Sequence, residues 1–299
     1  MFSYNKGVPI AKIVGGPDDQ KEIYMMDESV DPIDRLSKEF KSTYKDDLSV
    51  KEIKELHKAL RMHDSSDNPK LKKIYNDAID DLKDDHAFDC LKLKKGKIQP
   101  LPRKNICEKL YVAGVSGSGK STYTGKWLKE FKKIFKDSDL ILFSSVVEDE
   151  ALDKFEPVRV DIDESLLTDP LSIQDLHNSC VVFDDTNTIR QTPLRKAVEA
   201  VQAEVIEIGR HYDTRCIVTS HILQNYKQTR QILNESTSVT FFPKASGTIH
   251  IKNFLFNYAG LEKDQINRVL KLPSRWVTLY RTYPSYIVWE KGLCLLSEF

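Results

Sequence analysis

The distribution of apolar and polar positions divides the chain into two parts. Within residues 1–100, short strand-like segments are followed by stretches with apolar residues at helical spacing. The strand-like segments are residues 9–14 and 21–25, and the turn sequence between them predicts a hairpin. From residue 109 onward, short continuous apolar runs alternate with amphipathic segments. This alternation predicts a mainly parallel sheet covered by helices on both faces.

We therefore predict two domains. A small, mostly helical N-terminal appendage spans residues 1–100 and ends in a linker, residues 92–103, that is rich in glycine and proline. An α/β domain spans residues 101–299. Its predicted core covers residues 108–245, and a helix and a β-hairpin follow in residues 246–299. The predicted strands of the core are Leu110–Ala113, Leu140–Phe143, Cys180–Phe183, Cys216–Val218 and Ser238–Phe242.

A glycine-rich segment joins the first predicted strand to the amphipathic stretch after it. Its sequence, GVSGSGKS, matches the phosphate-binding pattern G-x-x-x-x-G-K-[ST] of P-loop NTPases at every position. Glycines let backbone N–H groups turn toward phosphate oxygens, and the start of the next helix adds a partial positive charge. Lys120 is predicted to neutralise the β- and γ-phosphates. The predicted nucleotide-binding residues are Gly114, Val115, Ser116, Gly117, Ser118, Gly119, Lys120, Ser121 and Thr122.

Two adjacent aspartates end the third predicted strand. In open α/β sheets ligands bind at the carboxyl ends of the strands, so we predict that Asp184 and the Ser121 hydroxyl hold Mg²⁺. Asp185 is predicted to orient and polarise the attacking water, a role that motor ATPases more often give to glutamate. Without the glycine loop, the pair would be interpreted as an acidic turn. A guanine-selecting N-K-x-D motif is absent from the sequence, which favours ATP over GTP.

The order of these elements along the chain is informative. A further strand and helix separate the glycine loop from the Asp-Asp strand. This order favours the class of P-loop folds in which an extra strand lies between those two strands, and most motor ATPases belong to that class. The inference rests on analogy between folds.

Other polar residues near the predicted site allow more than one interpretation. Ser220, His221 and Gln224 follow the fourth predicted strand, where a side chain can sense the γ-phosphate or simply cap the next helix. Hydrolysis often needs an arginine, from the same chain or a neighbouring subunit, to stabilise charge in the transition state. We expect Arg210, Arg215 and Arg230 to lie close to the nucleotide edge of the sheet. An arginine at such a position is more often a partner in a surface ion pair.

Charge and cysteine content add to this picture. The formal net charge is zero, but residues 91–136 carry 13 basic and 2 acidic side chains around the loop. This basic block fits either a solvated surface or a nucleic-acid-facing patch. No apolar run approaches a membrane span, and the first ten residues lack the apolar stretch of a signal peptide, so we expect a cytoplasmic protein. The five scattered cysteines predict reduced thiols, without a disulfide framework or a zinc site.

Aromatic and basic residues alternate near the C-terminus. Such a mixture can stack on single-stranded nucleic acid. It also fits a hairpin that turns at Pro284-Ser285 and pairs aromatic side chains across its strands. The aromatic residues are Trp276, Tyr280, Tyr283, Tyr286 and Trp289, and the basic residues are Arg275, Arg281 and Lys291.

Four stretches together resemble the DNA-packaging ATPases of large nucleocytoplasmic DNA viruses, the poxvirus-type branch of the FtsK/HerA superfamily. They are Val112–Ser121, Val181–Asp185, Gly209–His211 and the run from Ile217 through Arg230 to Asn234. The resemblance implies an ATP- and Mg²⁺-dependent motor that forms a homo-oligomeric ring, pumps double-stranded DNA into a viral capsid and contacts capsid components. It carries over Lys120 and Ser121 for nucleotide, Asp184 and Asp185 for magnesium and water, and Arg210 or Arg230 as arginine finger.

Two other functions remain open from the sequence. A phosphoryl transferase would use the same loop together with an acceptor pocket and an arginine-bearing lid, for which Arg190 or Arg230 is a candidate. A non-catalytic scaffold would bind nucleotide without releasing phosphate. A DNA-stimulated ATPase is the function that the strand order, the two aspartates and the basic block favour.

Overall fold

The computed structural model describes residues 1–26, 48–62, 68–84 and 87–299. The chain forms two compact units, one of residues 1–8 and 23–88 and the other of residues 9–22 and 89–299. The larger unit takes in residues 9–22 and 89–100, which the sequence analysis assigns to the appendage. The predicted boundary at residue 100 stays a prediction, since part of the appendage lies outside the described residues.

Among the residues that the structure describes, the small unit contains two paired strands and two helices. Strand β1 (Phe2–Ser3) runs antiparallel to β3 (Glu22–Met25). Helices α1 (Val50–Met62) and α2 (Pro69–Asp84) form where the apolar spacing predicts helices, and they pack against each other. Leu56 and Leu71 are fully buried.

The larger unit begins with strands that the sequence analysis interprets as a hairpin and a linker. Strand β2 (Val8–Val14) pairs antiparallel with β5 (Lys97–Pro100), and β4 (Cys90–Lys92) joins the main sheet. The predicted linker is therefore partly strand, because Ile98 and Leu101 are buried. The Gly and Pro residues near it mark the ends of strands.

The main sheet has ten strands in the order β4-β14-β13-β12-β11-β6-β10-β9-β7-β8. The six strands from β11 to β8 are parallel, and the other four are antiparallel. The parallel strands are β6 (Lys109–Ala113), β7 (Asp139–Ser144), β8 (Val158–Arg159), β9 (Ser179–Asp184), β10 (Arg215–Ser220) and β11 (Ser238–Phe241). The antiparallel extension comprises β12 (Val277–Tyr280), β13 (Tyr286–Trp289) and β14 (Gly292–Leu295), with β4 at its edge.

Helices cover both faces of this sheet, as predicted. On one face, α3 (Lys120–Ile134) packs Trp127, Leu128 and Phe131 over the parallel strands, with the one-turn helix α4 (Glu150–Asp153) beside it. The other face is covered by α5 (Ser165–Thr168), α6 (Thr192–Ile208), α7 (Tyr226–Glu235), α8 (Thr248–Asn257) and α9 (Lys263–Lys271). Successive residues of β6 alternate between the two cores, because neighbouring side chains in a strand point to opposite faces.

Strand β10 lies between the glycine-loop strand β6 and the Asp-Asp strand β9. The predicted insertion is therefore confirmed. The inserted strand follows β9 in the chain, whereas β7, which precedes β9, pairs with its outer side.

The C-terminal hairpin is also confirmed. Tyr280 pairs with Tyr286 across β12 and β13, and their rings stack with centroids 4.4 Å apart. Both rings are buried, as is Trp289, so these three side chains cannot stack on nucleic acid.

The prediction of reduced thiols is wrong for two of the five cysteines. Cys90 on β4 faces Cys294 on β14, and the two form a disulfide. Their sequence separation of 204 residues hides this pairing in the sequence. Cys107, Cys180 and Cys216 are free.

Candidate nucleotide-binding site

The glycine loop leads from the end of β6 directly into α3. Gly114 N–H donates to Ser220 O of the inserted strand, 2.9 Å away, which fixes the start of the loop. Gly117 and Gly119 have φ angles of +74° and +108°, in the left-handed region that favours glycine. Gly119 also caps α3, so the unpaired N–H groups of the first helical turn lie next to the loop. This geometry suits a bound polyphosphate.

Lys120 is the first residue of α3 and is buried although it carries a charge. Its Nζ donates to Gly114 O at 3.0 Å, and it lies 3.5 Å from Asp185 Oδ2 and 3.3 Å from His221 Nδ1. The lysine thus bridges the loop, the end of β9 and the end of β10. The two groups expected to act on the phosphates, Lys120 and the Asp pair, lie on the same side of the sheet.

Asp184 is the last residue of β9 and is buried between the two neighbouring strands. Its Oδ1 accepts a hydrogen bond from Thr219 Oγ1 at 2.7 Å, and its Oδ2 accepts one from Ser144 Oγ at 3.0 Å. Burial, together with the charge of Asp185, raises the pKa of Asp184 above its ordinary value, against the opposing effect of these hydroxyls. The two hydroxyls therefore fix the position of the carboxylate, while its burial makes the charged form less favourable.

Asp185 adopts a left-handed conformation, with φ of +45°. A non-glycine residue in this region carries strain on the order of 1 kcal/mol. Its N–H donates to Thr219 Oγ1 at 3.0 Å, and its Oδ2 lies 3.1 Å from His221 Nε2. Its Oδ1 is buried and has no hydrogen-bond partner among the described residues. The strained backbone turns the carboxylate toward Lys120.

The residues present fit a magnesium ion. Mg²⁺ prefers oxygen ligands, usually one or two carboxylates supplemented by phosphate and water. The Asp184 carboxylate, the partnerless Asp185 Oδ1 and the Ser121 hydroxyl on the first turn of α3 all belong to elements that end at this edge of the sheet. The role of Ser121 and Asp184 as metal ligands stays a prediction, as does phosphate binding by Thr122.

Thr219 is a site residue that the sequence analysis missed. It is buried near the end of β10 and binds both Asp184 Oδ1 and the Asp185 N–H. The signal in the sequence was a polar residue at the end of an otherwise apolar strand. Of the named candidates, His221 lies against Lys120 and Asp185, whereas Ser220 Oγ accepts the Ile222 N–H and so caps a turn.

The arginines lie at different edges of the sheet. The expectation that Arg210 and Arg215 lie near the nucleotide edge is wrong, because α6 returns the chain to the amino ends of the strands. Arg210 is in the turn after α6, and Arg215 begins β10 with its guanidinium over the Phe135 ring. Arg230 lies on α7, which follows the carboxyl end of β10, and it is exposed over Tyr226. A finger role for Arg210 therefore requires a neighbouring subunit, and for both residues this role stays a prediction.

Replacing Asp184 by asparagine is expected to stabilise the nucleotide-free protein. The raised pKa means that the folded state carries an unfavourable carboxylate at neutral pH, and the amide removes this charge while the Thr219 and Ser144 hydroxyls can reorient. We therefore expect the Tm of Asp184→Asn to exceed that of the wild type at pH 7. As the pH falls through the raised pKa, the wild-type carboxyl takes up a proton and the difference should close.

Thermal unfolding at several pH values tests this expectation. Asp139→Asn is the matched control, because Asp139 is exposed at the opposite end of the adjacent strand β7. A lower Tm for Asp184→Asn than for the wild type at pH 7 would contradict it.

The fold and the loop define a P-loop NTPase in which a strand is inserted between the loop strand and the acidic strand. No protein-family model matches the chain. The chain belongs to the family of the uncharacterized protein V3 of Sputnik virophage, to which it is 41% identical over 204 residues, covering 68% of this chain and 82% of that protein. Within the described residues, no helix has both the length and the apolar character needed to cross a bilayer.

Several solved structures share parts of the fold. The genome packaging NTPase B204 of Sulfolobus turreted icosahedral virus 2, in complex with AMPPCP, is 13% identical and covers 57% of this chain and 90% of its own, with a TM-score of 0.38. The DNA-packaging ATPase B204 of Sulfolobus turreted icosahedral virus is 15% identical, with coverages of 58% and 92% and a TM-score of 0.41. The pCW3 conjugation coupling protein TcpA, with ATPγS, is 11% identical, with coverages of 69% and 66% and a TM-score of 0.40. These similarities concern part of the fold, and the chemistry of the candidate site is inferred from the residues of this chain.

Proposed function

We propose that the chain is an ATP-hydrolysing motor that translocates double-stranded DNA, and that its task is to package a viral genome. The observation that carries the proposal is the meeting of Lys120, Asp185 and His221, with Lys120 Nζ 3.5 Å from Asp185 Oδ2 and 3.3 Å from His221 Nδ1. These groups come from the loop, the acidic strand and the inserted strand. Their arrangement supports hydrolysis of a triphosphate bound at the loop.

The residues divide the work of phosphate binding. The loop amides and Lys120 hold the β- and γ-phosphates, and Ser121 and Asp184 hold Mg²⁺, which supplies charge neutralisation when bound. Lys120 is already oriented by Gly114 O, so only its contacts to Asp185 and His221 need to change when phosphate arrives. Preorganisation of this kind lowers the cost of stabilising charge in the transition state.

Asp185 and His221 are proposed to act on the attacking water. Once Lys120 turns to phosphate, the Asp185 carboxylate is free to accept a proton from a water molecule and to orient it for attack on the γ-phosphorus. His221 lies between β10 and α7 and contacts Asp185. Through this contact, a change at the γ-phosphate is proposed to alter the position of α7. Arg230 is exposed on α7, where a neighbouring subunit in a ring can be reached.

The surface of α3 supports contact with nucleic acid. Lys126, Lys129, Lys132 and Lys133 are exposed on this helix, and only Lys133 of the four has a carboxylate partner, Glu130, among the described residues. Such a row of cations attracts the DNA backbone without reading sequence. Ring formation and contact with capsid components are part of the proposal.

The proposal predicts that double-stranded DNA raises the ATPase rate several-fold, with a stimulation that falls as salt increases. The measurement is steady-state phosphate release with and without DNA, together with the mass in solution in the presence of a non-hydrolysable ATP analogue. Because phosphate contacts release counterions, raising the salt from about 50 to 200 mM should remove most of the stimulation.

Three results would each reject the motor. Labelled γ-phosphate transferred to an acceptor molecule would indicate a phosphoryl transferase. ATP binding without phosphate release, alone or with DNA, would indicate a scaffold. Hydrolysis that no DNA stimulates at any salt concentration would leave an ATPase with another task.

A further inference from the structure

A recess of about 250 Å³ opens beside the glycine loop, on the side away from the aspartates. Ser118, Gly119 and Thr122 form its boundary with the loop and α3. The opposite walls come from the antiparallel extension and from β5, parts of the chain that lie outside the predicted core at residues 108–245. Nothing in the proposed hydrolytic chemistry uses this space.

The position of the recess follows from the sheet order. The loop strand β6 has β10 on one side and β11 on the other, and both neighbours run parallel to it. The groups expected at the γ-phosphate, Asp185 and His221, lie on the β10 side. A triphosphate stretched along the loop therefore directs its nucleoside toward the β11 side, where Phe242 follows the end of β11.

The walls of the recess are largely aromatic. Phe242 packs directly against the loop, since a Cβ added to Gly119 would lie 3.6 Å from its ring and one added to Gly114 only 2.6 Å. The rings of Tyr123 and Trp276 meet edge to face with centroids 5.1 Å apart. Trp276 is only partly buried, so its indole still has exposed surface at the recess. Aromatic side chains bind nucleobases by stacking, at about 1–3 kcal/mol per base.

Polar groups occupy the far side of the recess. Glu290 accepts hydrogen bonds from the Arg275 N–H at 2.8 Å and from Lys97 Nζ at 3.2 Å. Although burial opposes it, these contacts lower the pKa of Glu290 and keep the carboxylate ionised. Gln99 adds an amide whose Nε2 donates to Glu130 Oε1 at 3.3 Å. Sites for small organic ligands usually combine apolar and aromatic walls with a few polar groups.

We infer that this recess is the nucleobase site: it takes the adenine of the ATP whose triphosphate lies on the glycine loop, with Trp276 as the principal stacking surface and Gln99 and Glu290 facing the edge of the base. The inference deepens the proposed function and rests on it for the presence of nucleotide at the loop. It assigns to β5 and the antiparallel extension the task of selecting the nucleotide.

The test compares ligands with and without a base. Calorimetry on the full chain measures the affinity for Mg²⁺ with a non-hydrolysable ATP analogue and for Mg²⁺ with inorganic tripolyphosphate. We expect Trp276→Ala to weaken binding of the analogue about tenfold or more, the loss expected from one stacked base, while tripolyphosphate affinity changes less than about twofold. Trp276→Phe should retain most of the analogue affinity, because it keeps an aromatic surface. Tyr283→Ala is the matched control, since Tyr283 is an aromatic residue of the same hairpin with 90% of its surface exposed.

A second variant guards against misfolding of Trp276→Ala. Val14 lines the mouth of the recess on β2 and is partly exposed, so Val14→Trp adds an indole to the space without removing a core contact. Val14→Trp should lower the affinity for the ATP analogue and leave the affinity for tripolyphosphate unchanged. In the wild type, the analogue should quench tryptophan fluorescence and tripolyphosphate should not, and Trp276→Phe should lose that quenching.

The outcomes separate this inference from the proposed function. Equal losses for both ligands in Trp276→Ala and Val14→Trp, or no loss in either, overturn the base site even if the protein hydrolyses ATP. Wild-type protein that binds neither ligand overturns the base site and the proposed function together. A selective loss of affinity for the analogue supports the base site even if DNA fails to stimulate hydrolysis. The absence of stimulation would reject only the motor.

Discussion

Replacing Lys120 by alanine is expected to lower the ATPase rate about 10²–10³-fold, the loss typical when a preorganised charge-stabilising group is removed from an active site. The structure gives the reason. Lys120 Nζ is buried and held by Gly114 O, 3.5 Å from Asp185 Oδ2, and it is the only lysine that the described residues place at the loop and the aspartates together. Among the described residues, no other lysine is placed to substitute for it in neutralising the β- and γ-phosphates. Steady-state phosphate release measures the effect, and calorimetry with a non-hydrolysable ATP analogue measures the accompanying loss of affinity.

Lys129→Ala provides the control for charge and for helix propensity. Lys129 lies on the same helix, α3, but is exposed. The Lys129→Ala variant should keep the wild-type ATPase rate in the absence of DNA. Circular dichroism and the Tm establish that Lys120→Ala remains folded. A folded Lys120→Ala protein with more than about a tenth of the wild-type rate would show that this lysine does not stabilise the transition state as P-loop lysines do.

The parts of the site that the sequence predicts are those encoded by neighbouring residues. The loop from Gly114 to Ser121 is contiguous, so its chemistry is complete in the sequence. The two aspartates can be recognised in the sequence because they directly follow an apolar run. The inserted strand was inferred by analogy between folds, and the structure confirms it through the pairing of β10 with both β6 and β9.

The parts that the sequence could not predict depend on which elements become neighbours. Thr219 binds Asp184 only because β10 lies beside β9, and no local pattern reveals that contact. Arg210 is expected near the nucleotide because it lies just beyond an element predicted to end at that edge, but the 17-residue helix α6 carries the chain to the other edge of the sheet. Cys90 meets Cys294 through pairing of strands from opposite ends of the larger unit. In each case the deciding quantity is strand order, which long-range packing determines.

The same reasoning explains why the linker prediction failed at residues 97–100. Glycine and proline are turn signals, and the sequence around Gly96, Pro100 and Pro102 contains three of them. Yet Ile98 is buried and the segment pairs antiparallel with β2, and the Ile98 N–H also donates to Glu290 O at 2.9 Å. Proline at the end of an edge strand is compatible with this pairing, because it lacks only the N–H that an edge leaves unused.

Replacing Asp185 by asparagine is expected to separate binding from hydrolysis. The amide keeps the size of the side chain and tolerates the left-handed backbone at φ +45°, so the local fold should persist. It cannot accept a proton from water, and loss of a general base typically costs about 10²–10⁴-fold in rate. Binding of ATP should be equal to or tighter than in the wild type, because the substitution removes a negative charge near the γ-phosphate and releases Lys120 from its ion pair.

Two comparisons make this expectation specific to the carboxylate at residue 185. Asp161→Asn removes an exposed carboxylate that follows β8 at the same edge of the sheet, and it should leave both rate and affinity unchanged. Asp185→Glu restores the carboxylate on a side chain longer by one methylene, and it should recover a substantial part of the rate lost in Asp185→Asn. If Asp185→Asn hydrolyses ATP at the wild-type rate, the water is activated by another group. His221, 3.1 Å from Asp185 Oδ2, is then the residue whose substitution has to abolish turnover, since it is the remaining proton acceptor that the described residues place beside Lys120.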